Sequence, residues 1–147
     1  MSKLLDGIKQ NNFVVVGRAG IDLFTDAGVA AEDAETVTVG LGGSSANIAA
    51  GICKLGGKAS LVTRVSDDSI GSYCIGQLKR YGVGTDYVKP VGGEYRNSLA
   101  FYESRVEGHR NVIYRNGAAD FQMDMDDVAA VDYDQFGALI TAGTVFA

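Results

Sequence analysis

The apolar positions of this chain change their spacing several times, and each change marks an element. Phe13-Val14-Val15-Val16-Gly17 is a short unbroken apolar run bounded by turn residues, the pattern of a buried strand. The polar stretch Met1–Asn12 before it predicts an irregular lead-in. Thr36-Val37-Thr38-Val39 alternates as a half-exposed strand does, and the pattern breaks at Gly40-Leu41-Gly42-Gly43. From Ser44 to Leu55 the spacing becomes helical. Ala46, Ala49, Ala50 and Cys53 share one face, Ile48, Ile52 and Leu55 another, and Asn47 and Lys54 a polar stripe. Ser44 or Ser45 is placed to cap this helix, and Gly56-Gly57 to end it with a left-handed turn.

Ala59–Val65 reads as the next strand, with Ser66-Asp67-Asp68 turning into a helix from Ser69 to about Tyr81. The inward face of that helix is predicted to be Ile70, Tyr73, Cys74, Leu78 and Tyr81. Strand, helix, strand, helix in this order predicts right-handed crossovers and a parallel sheet, and Tyr87–Val91 adds another strand. Ser98–Glu103 and Asn111–Tyr114 are strands joined by the polar hairpin Glu107-Gly108-His109-Arg110, an antiparallel flap on an α/β chain. A short helix near Asp126–Ala130 and a strand at Ala138–Thr141 follow. The chain stops at Ala147 soon after that strand with no closing helix, so a fragment of a larger fold is expected.

Composition narrows the class. A length of 147 residues fits one domain or a piece of a larger one. The 13 basic and 18 acidic residues leave a charge of −5, which removes the electrostatic footprint of a dedicated nucleic-acid binder. Hydrophobic residues at 46% argue against disorder. The longest apolar stretch, Ile48–Cys53, is far short of the roughly 20 residues of a membrane span. No basic, then apolar, leader opens the chain, so a cytoplasmic protein is expected. Cys53 and Cys74 are too few for a disulfide framework and read as reduced core residues. With a single His, they are also too few for zinc, so no metal site is expected.

The glycines, 20 in all, call for tight turns or close backbone approaches, and Gly40-Leu41-Gly42-Gly43-Ser44-Ser45 concentrates them. Three readings compete there. The segment imitates the dinucleotide fingerprint Gly-x-Gly-x-x-Gly, but its third glycine is Ser45 and no acid follows at the ribose-binding spacing. It could equally be a glycine turn that only permits tight packing. The third reading uses more residues. Gly42-Gly43 lets a ligand approach the backbone, the helix start offers amide groups, and Asn47 carries both a donor and an acceptor. Asp22, with Arg18, lies just past the carboxyl end of the first strand, where ligands gather in open α/β sheets, and its carboxylate can accept from two adjacent hydroxyls. Together these make a polyol site. Asp120, Asp124, Asp126 and Asp127 lack the Gly and Glu of a calcium loop and read as a solvated acidic helix start. His109 lies in a polar turn without a nucleophile beside it.

Val16-Gly17-Arg18-Ala19-Gly20-Ile21-Asp22-Leu23, then Gly42-Gly43-Ser44-Ser45-Ala46-Asn47-Ile48-Ala49, Leu55-Gly56 and Val65-Ser66-Asp67-Asp68 with Gly71, resemble the ribokinase-like, PfkB-type carbohydrate kinases in order and spacing over nearly the whole chain. Within the family, the Gly-Arg-x-x-Ile-Asp-Leu opening and Ile113-Tyr114-Arg115-Asn116-Gly117-Ala118-Ala119-Asp120 look most like the 5-dehydro-2-deoxygluconokinases, with the 2-dehydro-3-deoxygluconokinases as the nearest rival. The resemblance implies the N-terminal, sugar-binding portion of a ribokinase-like parallel-sheet sandwich carrying a small antiparallel β lid, with lid strands near 36–41 and 98–115. It implies that Asp22 binds sugar hydroxyls, that Gly42-Gly43 forms a hinge, that Asn47 contacts the sugar, and that Arg115 meets an acidic or carbonyl-rich part of it. The alternative for Arg115 is a solvated lid charge. Arg18 points to the 5-dehydro-2-deoxygluconokinase branch; its alternative is a surface cation. Ser45 and Ser66 stand where the family usually has Gly, Ala or Pro and Gly; both are small, so altered turns rather than a lost site are expected. The lid also implies a homodimer paired through it, and an exposed lid edge is a strand that proteins cover or pair.

The same resemblance places ATP, Mg²⁺ and the catalytic base in a C-terminal portion built around a Gly-Ala-Gly-Asp helix start. Neither that motif nor a Gly-x-x-x-x-Gly-Lys-[Ser/Thr] phosphate loop occurs here. The leading expectation is therefore the substrate-binding part of an ATP-dependent carbohydrate kinase, acting on a keto-deoxy sugar acid. A non-catalytic sugar-binding or regulatory module and a dinucleotide-binding domain are the alternatives. On the leading expectation, the purified 147-residue chain transfers no phosphate from ATP to any sugar in a coupled assay, and measurable turnover would refute it.

Overall fold

A computed structural model of the chain describes residues 6, 8 and 10–142. The elements run β1 (Asn12–Val16), β2 (Gly20–Phe24), β3 (Thr38–Gly42), α1 (Ser44–Lys54), β4 (Lys58–Ser66), α2 (Ser69–Arg80), β5 (Val88–Val91), β6 (Leu99–Tyr102), β7 (Asn111–Tyr114), α3 (Met125–Ala129) and β8 (Ala138–Thr141). Most of the expected lead-in lies outside the described residues. Asp6 and Ile8 are helical and Asn12 already belongs to β1, so its described part is not irregular throughout.

The main sheet has the order β5-β4-β1-β8 and every pairing in it is parallel. β1 is apolar from Phe13 to Val16 because both of its faces are covered there. Val15 packs with Leu61, Val65, Ala46, Ala49, Cys74 and Leu78 beneath the two long helices. Val14 and Val16 join Val62 and Val131 on the opposite face. Alanine at 46, 49 and 50 lets α1 lie close on the sheet. Burial pushes the Cys74 thiol up to about 12, which leaves it an inert core residue; both cysteines are free, and Cys53 is half-buried.

Both helices differ from expectation in detail. Gly43, with φ 102°, is the N-cap of α1, not a serine; the Ser45 hydroxyl instead donates to the Val16 carbonyl at 3.2 Å. The C-terminus closes as expected, with Gly57 N–H donating to Ile52 O and Gly56 N–H to Cys53 O. In α2 the buried stripe is Gly71, Cys74 and Leu78, while Ile70 and Tyr81 are 38% and 37% exposed. The stripe turns because Gly71 lies directly against the Ser66 carbonyl. The Asp68 carboxylate caps this helix, accepting from Ile70 and Gly71 N–H at 2.9 and 3.0 Å.

The second sheet, β3-β2-β6-β7, contains the strands expected to form a lid. It contains a strand the sequence reading did not place. Gly20–Phe24 is β2, so Asp22 lies in the middle of a lid strand, not at the end of β1. β2 is antiparallel to β3 but parallel to β6, which makes the lid mixed. β3 begins at Thr38 and runs through Gly40 to Gly42 instead of breaking there, because those glycines pair with Asp22 and Gly20 of β2. The far end of the lid is tied by the buried Glu103. It accepts from Ala31 N–H and Arg110 N–H, each at 2.9 Å, and pairs with the Arg110 guanidinium. The Arg110 hydrogen bonds hold its carboxyl at about 2.

The acidic stretch before β8 is a solvated helix start only in part: Asp124 and Asp126 are exposed, but Asp120 and Asp127 are buried. Asp124 caps α3 in a reciprocal capping box with Asp127. Asp127 is 2% exposed and is held by Arg64 Nε at 2.7 Å and Lys89 Nζ at 2.9 Å, which fastens α3 to β4 and β5. Asp120 is 7% exposed and pairs with Arg115. Asp127→Ala removes the shared partner of two cations and costs about 2 kcal/mol, less than a fully buried pair because both cations reach solvent. Tm falls by roughly 4–8 °C at pH 7. Burial pushes the Asp127 carboxyl up, but the bonds from Lys89 and Arg64 outweigh it and hold the carboxyl below its ordinary 3.8. Its contribution is therefore present in full above that value and lost as pH falls through the lower folded value. Melting curves of the two proteins converge in strong acid.

Candidate functional site

The lid and the main sheet meet where the chain crosses between them. At the end of β1, Gly17 N–H still donates to Val62 O at 3.0 Å, and then Arg18 and Ala19 carry the backbone out to β2. The chain returns at Gly42-Gly43. The Arg18 carbonyl accepts from Ala46 N–H at 3.2 Å, in the first turn of α1, so one of the expected helix-start amides is already taken. Gly43 packs so closely on that carbonyl that a Cβ would overlap it, and its positive φ independently demands glycine.

Asp22 projects into this joint. Its carboxylate lies over the Cα of Gly42, in space that a Cβ at position 42 would occupy. Asp22 is half-buried, yet among the described residues it accepts no hydrogen bond and closes no ion pair. Burial pushes its pKa up, and the nearby Arg18 charge pulls it partly back. The buried carboxylates among the described residues each have a cation: Asp127 has Arg64, Asp120 has Arg115 and Glu103 has Arg110. A carboxylate left without donors costs stability, and at a joint of bare backbone it is a ready acceptor for ligand hydroxyls.

The other expected residues fall in two places. Asn47 is exposed on the first turn of α1, and its backbone N–H donates to Gly43 O at 2.9 Å. The Asp22 carboxylate thus meets Gly42 and the Arg18 carbonyl meets Gly43, and Asn47 stands on the helix start that Gly43 caps. Arg115 is engaged elsewhere. Its guanidinium reaches Asp120 Oδ2 at 2.9 Å from Nε, lies 4.1 Å over the Phe121 ring, and leaves the side chain 15% exposed, so it is not a solvated lid charge. Of the motif acids near α2, Asp68 caps the helix and Asp67 is exposed. His109 is exposed at the hairpin tip. In the imitation of the dinucleotide fingerprint, Gly40 and Gly42 are paired strand residues, not the loop such a site requires.

Sequence reasoning missed Asn97 and Ser98. Asn97 accepts from Ser66 N–H at 2.6 Å and donates to Cys74 Sγ at 2.9 Å, while the Ser98 hydroxyl accepts from Arg18 Nε at 2.8 Å. Their only local signal is a polar pair at the entry to a strand. Beside them a cavity of about 490 Å³ is lined by Arg96, Asn97, Ile113, Asn116 and Ala118. Among the described residues no three His, Cys, Asp or Glu side chains are grouped to hold a metal, and no helix is long and apolar enough to cross a membrane.

A family profile described as "pfkB family carbohydrate kinase" matches residues 10–145. A 5-dehydro-2-deoxygluconokinase of Photobacterium profundum is 35% identical over 132 residues, which cover 89% of this chain and 40% of that protein. Its counterpart in Clostridium perfringens is 31% identical over 144 residues, covering 97% and 43%. The chain therefore spans about two fifths of the length of these curated relatives. Among solved structures, 2-dehydro-3-deoxygluconokinase from Thermotoga maritima superimposes with a TM-score of 0.72 at 25% identity, over 79% of this chain and 36% of that one. An uncharacterized sugar kinase from Pyrococcus horikoshii, solved in complex with ATP, gives 0.72 at 25% identity over 84% and 39%.

The state of Asp22 is measurable without a ligand. Because burial raises its pKa, its ionised form opposes folding: the penalty is absent below the unfolded value near 3.8 and complete above the raised folded value. Asp22→Asn removes that penalty, so Tm at pH 7 rises slightly, by roughly 2 °C. The gain disappears as the pH is lowered through the carboxylate range. A variant less stable than the parent at pH 7 would mean that Asp22 has a structural partner.

Proposed function

The chain belongs to the pfkB family of carbohydrate kinases, and on that premise we propose that it forms the sugar-binding part of an ATP-dependent kinase acting on a keto-deoxy sugar acid. The observation that carries the reading is the half-buried, undonated Asp22 carboxylate against the bare backbone of Gly42. In this reading Asp22 accepts from two sugar hydroxyls, and Gly42-Gly43 lets the ring approach and flexes as the lid closes. Asn47 orients the sugar from the helix start. A guanidinium, Arg18 or Arg115, meets the acidic end, where a planar fork matches a carboxylate. The names of curated relatives in Photobacterium profundum, Clostridium perfringens and Geobacillus thermodenitrificans, each a 5-dehydro-2-deoxygluconokinase, support that substrate class.

The sequence contains no Gly-Ala-Gly-Asp motif, and among the described residues no three His, Cys, Asp or Glu side chains are grouped to hold a metal. We assign the nucleotide, the metal and the base that takes the hydroxyl proton to the portion of the relatives that this chain does not span. The contribution of these residues is to bind, to orient and to exclude water beneath the lid. Two unbridged cysteines support a cytoplasmic setting. The exposed apolar β7 side chains Val112, Ile113 and Tyr114 support pairing of two lids in a homodimer.

Thermal shift with candidate sugars tests the reading. At 100 times Kd a ligand of the native state adds about 2.7 kcal/mol, a rise of roughly 5–10 °C in Tm. The expected ligands are 5-dehydro-2-deoxygluconate or 2-dehydro-3-deoxygluconate, and Asp22→Ala should abolish the shift while leaving the unliganded transition intact. No shift with any sugar or sugar acid would sink the proposal.

A further inference from the structure

Arg18 differs from its neighbours in what holds it. Arg115 is neutralised by Asp120, Arg64 by Asp127 and Arg110 by Glu103. Arg18, half-buried at the joint, closes no ion pair among the described residues; its Nε donates to the neutral Ser98 hydroxyl at 2.8 Å. That bond uses the inner edge of the guanidinium and leaves the two terminal NH₂ groups to other acceptors.

Ser98 is fixed from several directions. It is fully buried, and its carbonyl accepts from Ile21 N–H at 3.1 Å. A Cβ at position 20 would lie 2.5 Å from that carbonyl oxygen and 2.6 Å from the hydroxyl, so the glycine there admits Ser98 to the joint. Asn97, its neighbour, is anchored to Ser66 of β4 and Cys74 of α2. A serine placed this firmly aims the arginine that it holds.

Burial raises the Asp22 pKa and the charge of Arg18 only partly offsets it, and the two do not reach ion-pair distance. Two opposite charges held near each other but apart suit a ligand that offers a carboxylate to one and hydroxyls to the other. A neutral sugar would leave the half-buried guanidinium without an anion.

We propose, resting on the sugar-acid reading above, that Arg18 is the residue that selects a carboxylate-bearing sugar and that Ser98 is the positioning residue that aims it. Arg115, whose charge Asp120 already balances, is not the discriminating cation.

The test is the preference for a sugar acid over its neutral methyl ester, measured by calorimetry on the purified chain with 5-dehydro-2-deoxygluconate and 2-dehydro-3-deoxygluconate. The wild-type chain should favour the acid by about tenfold to a hundredfold. Arg18→Gln should bring acid and ester to equal affinity, and Arg18→Lys should keep part of the preference. Ser98→Ala should shrink the preference severalfold while ester binding and a cooperative melting transition persist. A purely structural role for Ser98 would weaken acid and ester alike and would overturn its assignment. Equal wild-type affinity for acid and ester, full preference retained in Arg18→Gln, or loss of preference in Arg115→Gln alone would overturn the inference while leaving the proposed function standing. Failure of the wild-type chain to bind any sugar would remove the proposed function and this inference with it.

Discussion

A carboxylate pressed against bare backbone is the constraint around which this structure is arranged. Asp22 can lie over Gly42 only because position 42 has no side chain, and β2 can bring Asp22 there only by pairing in register with β3. That register in turn delivers Gly43 to the Arg18 carbonyl and starts α1 beside it. A side chain at 42 would push the carboxylate away, and one at 43 would push away the helix. The small residues between β3 and α1 are thus requirements of the crossing, whichever ligand the crossing serves.

The rest of the electrostatics sharpens the contrast. Where a carboxylate serves packing, it is buried with a cation, and Glu103 and Asp127 also accept from backbone N–H groups. Glu103 binds the lid hairpin to the Ala31 turn, Asp127 binds α3 to two strands, and Asp120 holds Arg115. Each satisfies the rule that a buried charge must be paired to be tolerated. Asp22 and Arg18 break the rule together, side by side and unjoined. A fold that neutralises its other buried acids so thoroughly bears the cost of this pair where a ligand would recover it.

Most of the main layer was legible in the sequence because its signals are local. β1, β4, β5 and β8 are short apolar runs between turn residues, and the two long helices show their faces by spacing. β2 escaped because Gly20-Ile21-Asp22-Leu23-Phe24 sets a glycine and an acid inside a five-residue strand, both of which look like turn chemistry until the partner strand is known. The glycines of β3 were misread for the same reason: their role is to face Asp22 and Gly20 across a ladder that no local window contains. Asp127 looked like a surface acid because one of the cations that bury it, Arg64, is 63 residues away in the chain. The joint formed by Arg18, Gly20 and Ser98 spans 80 residues between its arginine and its serine, beyond the reach of any motif.

The placement of the candidate residues also sets what a ligand would do mechanically. Asp22 rides on the lid sheet, whereas Asn47 belongs to α1, which packs on β4 and β1 of the main layer. A sugar that engaged both would therefore bridge two layers whose nearest covalent links are Arg18-Ala19 and Gly42-Gly43. Binding energy spent at those two side chains would draw the sheets together rather than merely fill a hole. The Arg18–Ser98 bond spans the same gap from the third crossing, between β5 and β6, so the aim of the guanidinium depends on how the lid sits. On the proposed reading, recognition of an anionic end and approach of the two sheets would be one event, because Arg18 and Ser98, which would read the ligand, also join the sheets.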